Sequence, residues 1–152
     1  MTGAELRERL AEEILIGDGA MGTYLASLRA LDGKPVELLN LSSPVTVASA
    51  HREYIDAGAR LIETNTFAAN RLQLRRFGLS DEVRSVNVAG ARIAREVSRA
   101  SRKDVLVGGA VGPVSTGMKA SVSDEEMRNA YREQMESLVE AGVDLLILET
   151  FS

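Results

Sequence analysis

The chain has 152 residues, 45% of them hydrophobic and 26% charged, a balance typical of one folded domain. Its formal net charge of -4 comes from 22 acidic and 18 basic residues scattered along the chain, which leaves no basic surface for nucleic acid or anionic lipid. Cysteine is absent and histidine occurs once, so neither a thiolate nor a multi-histidine metal site can be built from this chain alone.

The first element in the chain is a charged helical pattern, MTGAELRERLAEE, which has no apolar signal-peptide core. No later run is apolar and long enough to span a bilayer. We therefore predict a cytoplasmic protein that does not enter a membrane. A short aliphatic run at Ile14–Ile16 follows and predicts a buried strand.

Three more aliphatic runs predict buried parallel strands in the same way. They are Ala59–Ile62, Val105–Val107 and Asp144–Leu148. A helical pattern separates each run from the next. This alternation of strand and helix favours a parallel sheet whose strands are joined by crossover helices.

The helical patterns between these strands have recognisable ends. The first starts at an N-cap serine, Ser43, followed by proline, and ends at Gly58. The second follows Ser80 and its acidic first turn, with apolar residues at three- and four-residue spacing. The third opens with a capping box at Ser123 and closes at Gly142.

An internal repeat indicates which architecture the alternating strands and helices form. The segment Asp56–Phe67 aligns with Glu140–Phe151 without a gap, so that helix end, Ala-Gly turn, strand and strand exit recur two units apart. The repeat pairs Arg60 with Asp144 at the strand entrances and Asn65 with Glu149 at the strand exits. Repeated βα units are the building blocks of a (βα)8 barrel.

Polar clusters follow the predicted strands at their carboxyl ends, the edge where parallel α/β folds bind ligands. They are the segments 17–23, 63–67, 108–113 and 149–152. Asp18 and Glu149 are expected to converge on one mouth and to meet a cationic group such as a substrate ammonium; the alternative is a structural link to arginine or to backbone donors. Gly108 and Gly109 either admit a ligand or permit a tight turn.

Two other features have competing interpretations. Gly17–Gly22 matches the dinucleotide fingerprint G-x-G-x-x-G, but the stretch 34–44 that should form the next strand is broken by prolines, and Asp18 would face a pyrophosphate. A nucleotide-binding module is therefore the weaker hypothesis. His51 lies on the apolar stripe of its helix, where core packing with a hydrogen-bonded ring is favoured over catalysis.

The motifs DGAMGT, ELLNLSSP, AGARLIETNTFAAN, GAVGP and ETF occur in this order and together resemble the homocysteine S-methyltransferase family. The resemblance implies a (βα)8 TIM barrel in which a zinc ion, held by three cysteine thiolates, binds homocysteine as a thiolate that takes up a methyl group to give methionine. It implies that the backbone of Asp18, Gly19 and Ala20 holds the substrate carboxylate and that Asp18 and Glu149 hold its ammonium. Asn65 and Thr66 would line the same mouth.

The chain departs from this family pattern, because the zinc-binding cysteines of the family follow later strands. We therefore expect residues 1–152 to be the first four βα units, the N-terminal half of the barrel, inactive alone and dependent on a missing half or on self-association. The alternative is a noncatalytic half-barrel that binds an amino acid or assembles with itself. The methyl donor stays open among methyltetrahydrofolate through cobalamin, S-methylmethionine, S-adenosylmethionine and betaine.

Overall fold

A computed structural model describes residues 2–28, 31, 33–114 and 122–151. Three parallel strands form one sheet in the order β1-β2-β3. They are β1 Leu61–Glu63, β2 Leu106–Val111 and β3 Leu145–Leu148. In the register, Ile62 pairs with Val107 and Gly109 pairs with Leu146. The predicted α/β class with a parallel sheet is confirmed.

Seven α-helices lie in the described ranges, and none of them combines the length and apolar character needed to cross a bilayer. They are α1 Gly3–Glu12, α2 Met21–Leu28, α3 Leu39–Ser42, α4 Pro44–Asp56, α5 Arg71–Arg75, α6 Val83–Ser101 and α7 Asp124–Glu140. The three helices predicted around the strands are confirmed as α4, α6 and α7. Before α6, Ser80–Glu82 forms a 3-10 turn, so the α-helix itself begins three residues later than the pattern indicated.

The ends of these helices follow from local chemistry. The Ser123 hydroxyl accepts the Glu126 N–H at 3.2 Å, and the Glu126 carboxylate accepts the Ser123 N–H at 3.0 Å, which is the predicted capping box. Gly58 and Gly142 have φ values of 112° and 84°, a region that side chains disfavour, so each glycine lets the chain turn from helix into strand. Ser43 occupies the predicted N-cap position, although its side chain caps no backbone N–H.

The core lies between the sheet and helices α4, α6 and α7. Ile62 of β1 and Val107 of β2 pack with Ile55 of α4 and Ala94 of α6 in one buried cluster. Burying one large aliphatic side chain of this kind contributes about 1.5 to 3 kcal/mol. The apolar stripe predicted along α6 is buried as a whole, which fixes the helix against the sheet.

The first predicted strand, Ile14–Ile16, was wrong in its bounds and its burial. Only a single parallel bridge forms there, between Gly17 and Leu61. Ile14 is 91% exposed and Ile16 is 59% exposed. Hydrogen bonds from the Arg60 and Leu61 N–H groups to the Ile16 carbonyl, at 2.8 Å and 3.1 Å, hold the segment beside β1 on one side only. Within the described residues, nothing covers its other side.

Strand β2 extends four residues beyond its predicted end. Gly108 and Gly109 therefore lie inside the strand and not in a loop. A Cβ at Gly108 would overlap the side chain of Ile147, and one at Gly109 would come within 3.1 Å of Leu138 and Leu146. The absence of a side chain at these glycines leaves room for neighbouring side chains to pack against β2. The sequence had suggested ligand access or a tight turn instead.

The last predicted strand begins one residue later, at Leu145, and is only half-buried. Asp144 instead turns its carboxylate to the start of β2 and accepts the Val107 N–H at 2.8 Å. Leu148 is 59% exposed. The expected burial on both faces was wrong because, among the described residues, no strand pairs with the outer edge of β3.

Candidate functional site

A cleft of about 640 Å³ opens at the carboxyl ends of the strands. All six residues predicted for substrate binding line it: Asp18, Gly19, Ala20, Asn65, Thr66 and Glu149. They come from the turn before α2, from the segment after β1 and from the segment after β3. The parallel sheet brings these separate parts of the sequence to one edge.

Asp18 is fixed on both its backbone and its side chain. Its N–H donates to the Leu61 carbonyl at 2.9 Å, and its Oδ2 accepts the Glu63 N–H at 3.0 Å. Burial raises the pKa of this carboxyl to about 6, and the charge of Glu149 adds to the effect although the hydrogen bonds oppose it. Asp18 therefore lines the cleft as a partly buried acid whose pKa is raised above its ordinary range.

The turn after Asp18 offers hydrogen-bond donors. Gly19 and Ala20 are exposed, and the described residues hold no hydrogen-bond acceptor for their N–H groups. Both amides directly precede α2, at the helix end where a backbone carries partial positive charge. A Cβ at Gly19 would lie 3.1 Å from the Tyr54 ring, so the close approach of that ring favours glycine here.

Glu63 lines the same cleft as Glu149, but the sequence pattern had indicated only Glu149. Glu63 is the last residue of β1. Burial raises the pKa of Glu63 to about 7, with further contributions from Glu149 and from Asp18. The position of Glu63 at the end of a buried strand could have indicated a site residue. The internal repeat instead aligned Asn65 with Glu149 at the strand exits.

Asn65 and Thr66 line the cleft but are engaged in the scaffold. The Asn65 amide donates to the Val36 carbonyl at 3.0 Å and to Asn40 Oδ1 at 3.1 Å. The Thr66 hydroxyl donates to the Ala110 carbonyl at 2.8 Å. Both side chains are buried, so their main contribution is to hold the segment after β1 in place.

A second acid that the sequence analysis did not assign is Glu37, in the 3-10 turn before α3. It is 4% exposed, lines the cleft and accepts the Ala68 N–H at 2.9 Å. Burial raises the pKa of its carboxyl above the ordinary range. The ELLN motif contained this residue, yet no periodic pattern distinguished it from the neighbouring surface acids.

His51 lies in the core, as predicted, and outside the cleft. It is fully buried on α4, and burial lowers the pKa of its imidazole to about 4, which keeps the ring neutral. The expected hydrogen-bonded ring was wrong, because neither ring nitrogen has a partner among the described residues. His51 therefore takes no part in the candidate site.

A zinc ion of the kind implied by the resemblance does not fit the residues of this chain. The chain contains no cysteine. In the ranges that the structure covers, no three histidine, aspartate or glutamate side chains converge as ligands. This chain therefore supplies no cysteine ligands for a zinc ion that would activate the substrate thiol.

The charge of the cleft restricts what it can hold. Its charged lining side chains in the described part of the chain are all acidic, without lysine or arginine: Asp18, Glu37, Glu63 and Glu149. Such a set is complementary to a cation, while the amides of Gly19 and Ala20 are complementary to an anion. The cleft at the strand ends therefore combines acidic side chains with backbone hydrogen-bond donors.

The chain belongs to the homocysteine S-methyltransferase family, whose sequence model matches residues 15–152. It is 33% identical to the methionine synthase of Mycobacterium leprae over 158 aligned positions, covering 96% of this chain and 13% of that protein. The methionine synthase of Mycobacterium tuberculosis is also 33% identical, with the same coverage. This chain thus spans about an eighth of the length of these relatives.

Solved structures show the same fold. The metallated form of the homocysteine methyltransferase MmuM from Escherichia coli superposes with a TM-score of 0.81 at 24% identity, over 96% of this chain and 57% of that one. Its oxidized form gives a TM-score of 0.78 at 26% identity, over 93% and 55%. The chain therefore corresponds to a little over half of that enzyme.

Proposed function

We propose that this chain forms the amino-acid-binding part of a homocysteine S-methyltransferase, which transfers a methyl group to the thiolate of homocysteine and yields methionine. One observation carries the proposal: acidic side chains and backbone amides that have no acceptor among the described residues line a single cleft. Homocysteine has an ammonium and a carboxylate in addition to its thiol. The cleft is complementary to both charged groups.

In this proposal each charged end of the substrate has its own partners. Asp18 and Glu149 accept hydrogen bonds from the ammonium, and the N–H groups of Gly19 and Ala20 donate to the carboxylate. Asn65 and Thr66 line the mouth and keep its wall rigid through their own hydrogen bonds. The thiol is then directed away from the acids, toward whatever group activates it.

The thiol-activating zinc is assigned to residues outside this chain, since three thiolates cannot come from a sequence without cysteine. We propose that the described residues are the first four βα units of a (βα)8 barrel, its N-terminal half, and that the other half supplies the zinc ligands. A zinc ion held there would bind the thiol of homocysteine in its deprotonated, thiolate form.

The chain alone is expected to hold no stoichiometric zinc and to form no methionine from homocysteine. Metal analysis of protein purified without a histidine tag checks the first point, and product assay with each candidate methyl donor checks the second. One tightly bound zinc per chain would contradict the assignment of the ligands. DNA sequence after codon 152 that lacks cysteine motifs would instead favour the noncatalytic half-barrel.

The uncovered sheet edges also indicate a partner. Ile14 and Ile16 beside β1, and Leu148 and Phe151 at the end of β3, are between 48% and 91% exposed. Exposed apolar side chains on parallel edge strands favour association. We propose that the missing half of the barrel covers these edges in the assembled enzyme.

When that half is absent, we expect the chain to self-associate or to be marginally stable. Sedimentation velocity over a concentration series should show the average mass rising with concentration. Replacing Leu148 with lysine, which puts a charge on the edge of β3, should shift the series back toward monomer. A parent chain that stays monomeric and melts sharply at every concentration would contradict this expectation.

A further inference from the structure

Two side chains continue the hydrogen-bond ladder between β1 and β2 past the end of β1. Strand β1 ends at Glu63, and the Thr64 N–H donates to the Gly108 carbonyl at 2.9 Å. In an unbroken parallel ladder, the Ala110 N–H would next donate to the carbonyl of residue 64, and the Ala110 carbonyl would accept the N–H of residue 66. The hydroxyls of Thr64 and Thr66 take these two positions instead.

The two hydroxyls form a closed ring with the backbone of Ala110. The Ala110 N–H donates to Thr64 Oγ1 at 3.1 Å, and the Thr66 hydroxyl donates to the Ala110 carbonyl at 2.8 Å. The two hydroxyl oxygens lie 2.6 Å apart. Because the single hydroxyl hydrogen of Thr66 is committed to the carbonyl, the Thr64 hydroxyl donates to Thr66 Oγ1. The ring is buried, since Thr64 is 2% exposed and Thr66 is fully buried.

The backbone groups that the hydroxyls replace bind each other. The Thr66 N–H donates to the Thr64 carbonyl at 2.8 Å, so both groups displaced from the ladder are satisfied in a tight turn. This turn takes the chain out of the sheet and brings Asn65 and Phe67 into the lining of the cleft. The hydroxyl ring thus fixes the conformation of the chain where β1 leaves the sheet.

The same exit holds an acid that we assigned to the substrate ammonium. Glu63 directly precedes Thr64, and its N–H donates to Asp18 Oδ2 at 3.0 Å. Successive N–H groups of an extended chain point to opposite sides, so the exit of β1 binds Asp18 on one side and β2 on the other. A shift of Thr64 would therefore move the Glu63 N–H and change the direction of the Asp18 carboxylate.

We propose that Thr64 and Thr66 are positioning residues, whose hydroxyl ring on Ala110 fixes the exit of β1 and thereby orients the Asp18 carboxylate for the substrate ammonium. The inference rests on the proposed function for its substrate. Both hydroxyls are committed within the ring, so they act through the Glu63 N–H and not by contact with the ligand.

Amide hydrogen exchange tests the ring without a substrate. In the parent chain the Ala110 N–H should exchange slowly. Thr64→Val keeps the shape of the side chain and removes the hydroxyl, so exchange at Ala110 should accelerate by at least about tenfold relative to Gly108 in the same strand. Thr64→Ser keeps the hydroxyl and should retain the protection. Fast exchange at Ala110 in the parent, or full protection in Thr64→Val, would overturn the ring and leave the proposed function intact.

Homocysteine binding tests the positioning role. Thr64→Val should raise the dissociation constant of homocysteine by about two- to tenfold, the scale of one hydrogen bond. It should leave the dissociation constant of 4-mercaptobutanoate, which lacks the ammonium, unchanged. Thr64→Ser should bind both ligands as the parent does. Thr46→Val, a matched substitution on α4 outside the cleft, should do the same.

The other outcomes separate the positioning role from the proposed function. Equal weakening of both ligands by Thr64→Val, or an unchanged affinity for homocysteine, would overturn the positioning role. If Thr64→Val does not fold, Thr66→Val takes its place, and failure of both variants to fold would show a purely structural role. Absence of homocysteine binding by the parent would overturn the proposed function, whereas protection of the Ala110 N–H would still report the ring.

Discussion

Glu149→Gln is expected to weaken the binding of homocysteine by about 1.5 to 3 kcal/mol, roughly 10- to 150-fold, the scale of a charge-assisted hydrogen bond. The substitution keeps the shape of the side chain and removes its charge. The substrate ammonium then loses one of the carboxylates that line the cleft. Asp18→Asn should act in the same direction, with a small added cost because Asp18 also orders the glycine turn.

The dissociation constants can be measured by NMR titration of the 15N-labelled chain at about pH 8, above the raised pKa values of Asp18 and Glu63. Glu136→Gln is the matched control, since Glu136 is an exposed glutamate of α7 outside the cleft. If both cleft variants bind homocysteine as tightly as the parent, these carboxylates are structural and the placement of the substrate is wrong.

Leu138→Ala is expected to lower the free energy of unfolding by about 2 to 5 kcal/mol. Leu138 is fully buried on α7, packs with Ala91 and Val111, and lies against Gly109 of β2. Truncation leaves a cavity between helix and sheet that neighbouring side chains fill only in part. Val139→Ala is the matched control, because that residue is 58% exposed on the same helix and should change the free energy of unfolding by less than about 0.5 kcal/mol.

Urea denaturation followed by circular dichroism measures both variants. Unfolding of a self-associating chain depends on concentration, so the three proteins must be compared at one concentration. If Leu138→Ala lowers the free energy of unfolding no more than Val139→Ala does, then α7 does not pack on the sheet as described.

The sequence predicted the parts of the fold that depend on local chemistry. The capping box at Ser123 and the glycines at Gly58 and Gly142 fix helix ends through neighbouring residues, so their patterns can be recognised without a structure. The repeat of Asp56–Phe67 in Glu140–Phe151 correctly related the turns and strands of two βα units.

Features that depend on distant neighbours could not be recognised in the same way. Gly108 resembles a loop residue because nothing near it in sequence reveals that Ile147 occupies the space of its side chain. Ile14 resembles a core residue because it lies in an aliphatic run. Its exposure depends on whether another part of the protein packs beside this segment, which the local sequence does not show. In both cases the tertiary environment, and not the local pattern, decides the structure.

The same distinction applies to the candidate site. Asp18 and Glu149 could be assigned because both follow strand ends and match motifs of the family. Glu63 and Glu37 also lie in these motifs but were not assigned, since what distinguishes them from surface acids is their burial, which the sequence pattern does not reveal. Gln134 was also missed; it donates to the Thr66 carbonyl at 2.7 Å from a helix 68 residues away in sequence.

Recognition of the substrate ammonium by the acidic cleft is the central claim, and comparing two ligands tests it most directly. L-Homocysteine and 4-mercaptobutanoate share the thiol and the carboxylate, but only homocysteine has the amino group. NMR titration of the labelled chain should show homocysteine binding at least about tenfold more tightly, with the largest shifts at Asp18, Glu63 and Glu149. Equal binding of the two ligands, or shifts that avoid these three residues, would contradict the account.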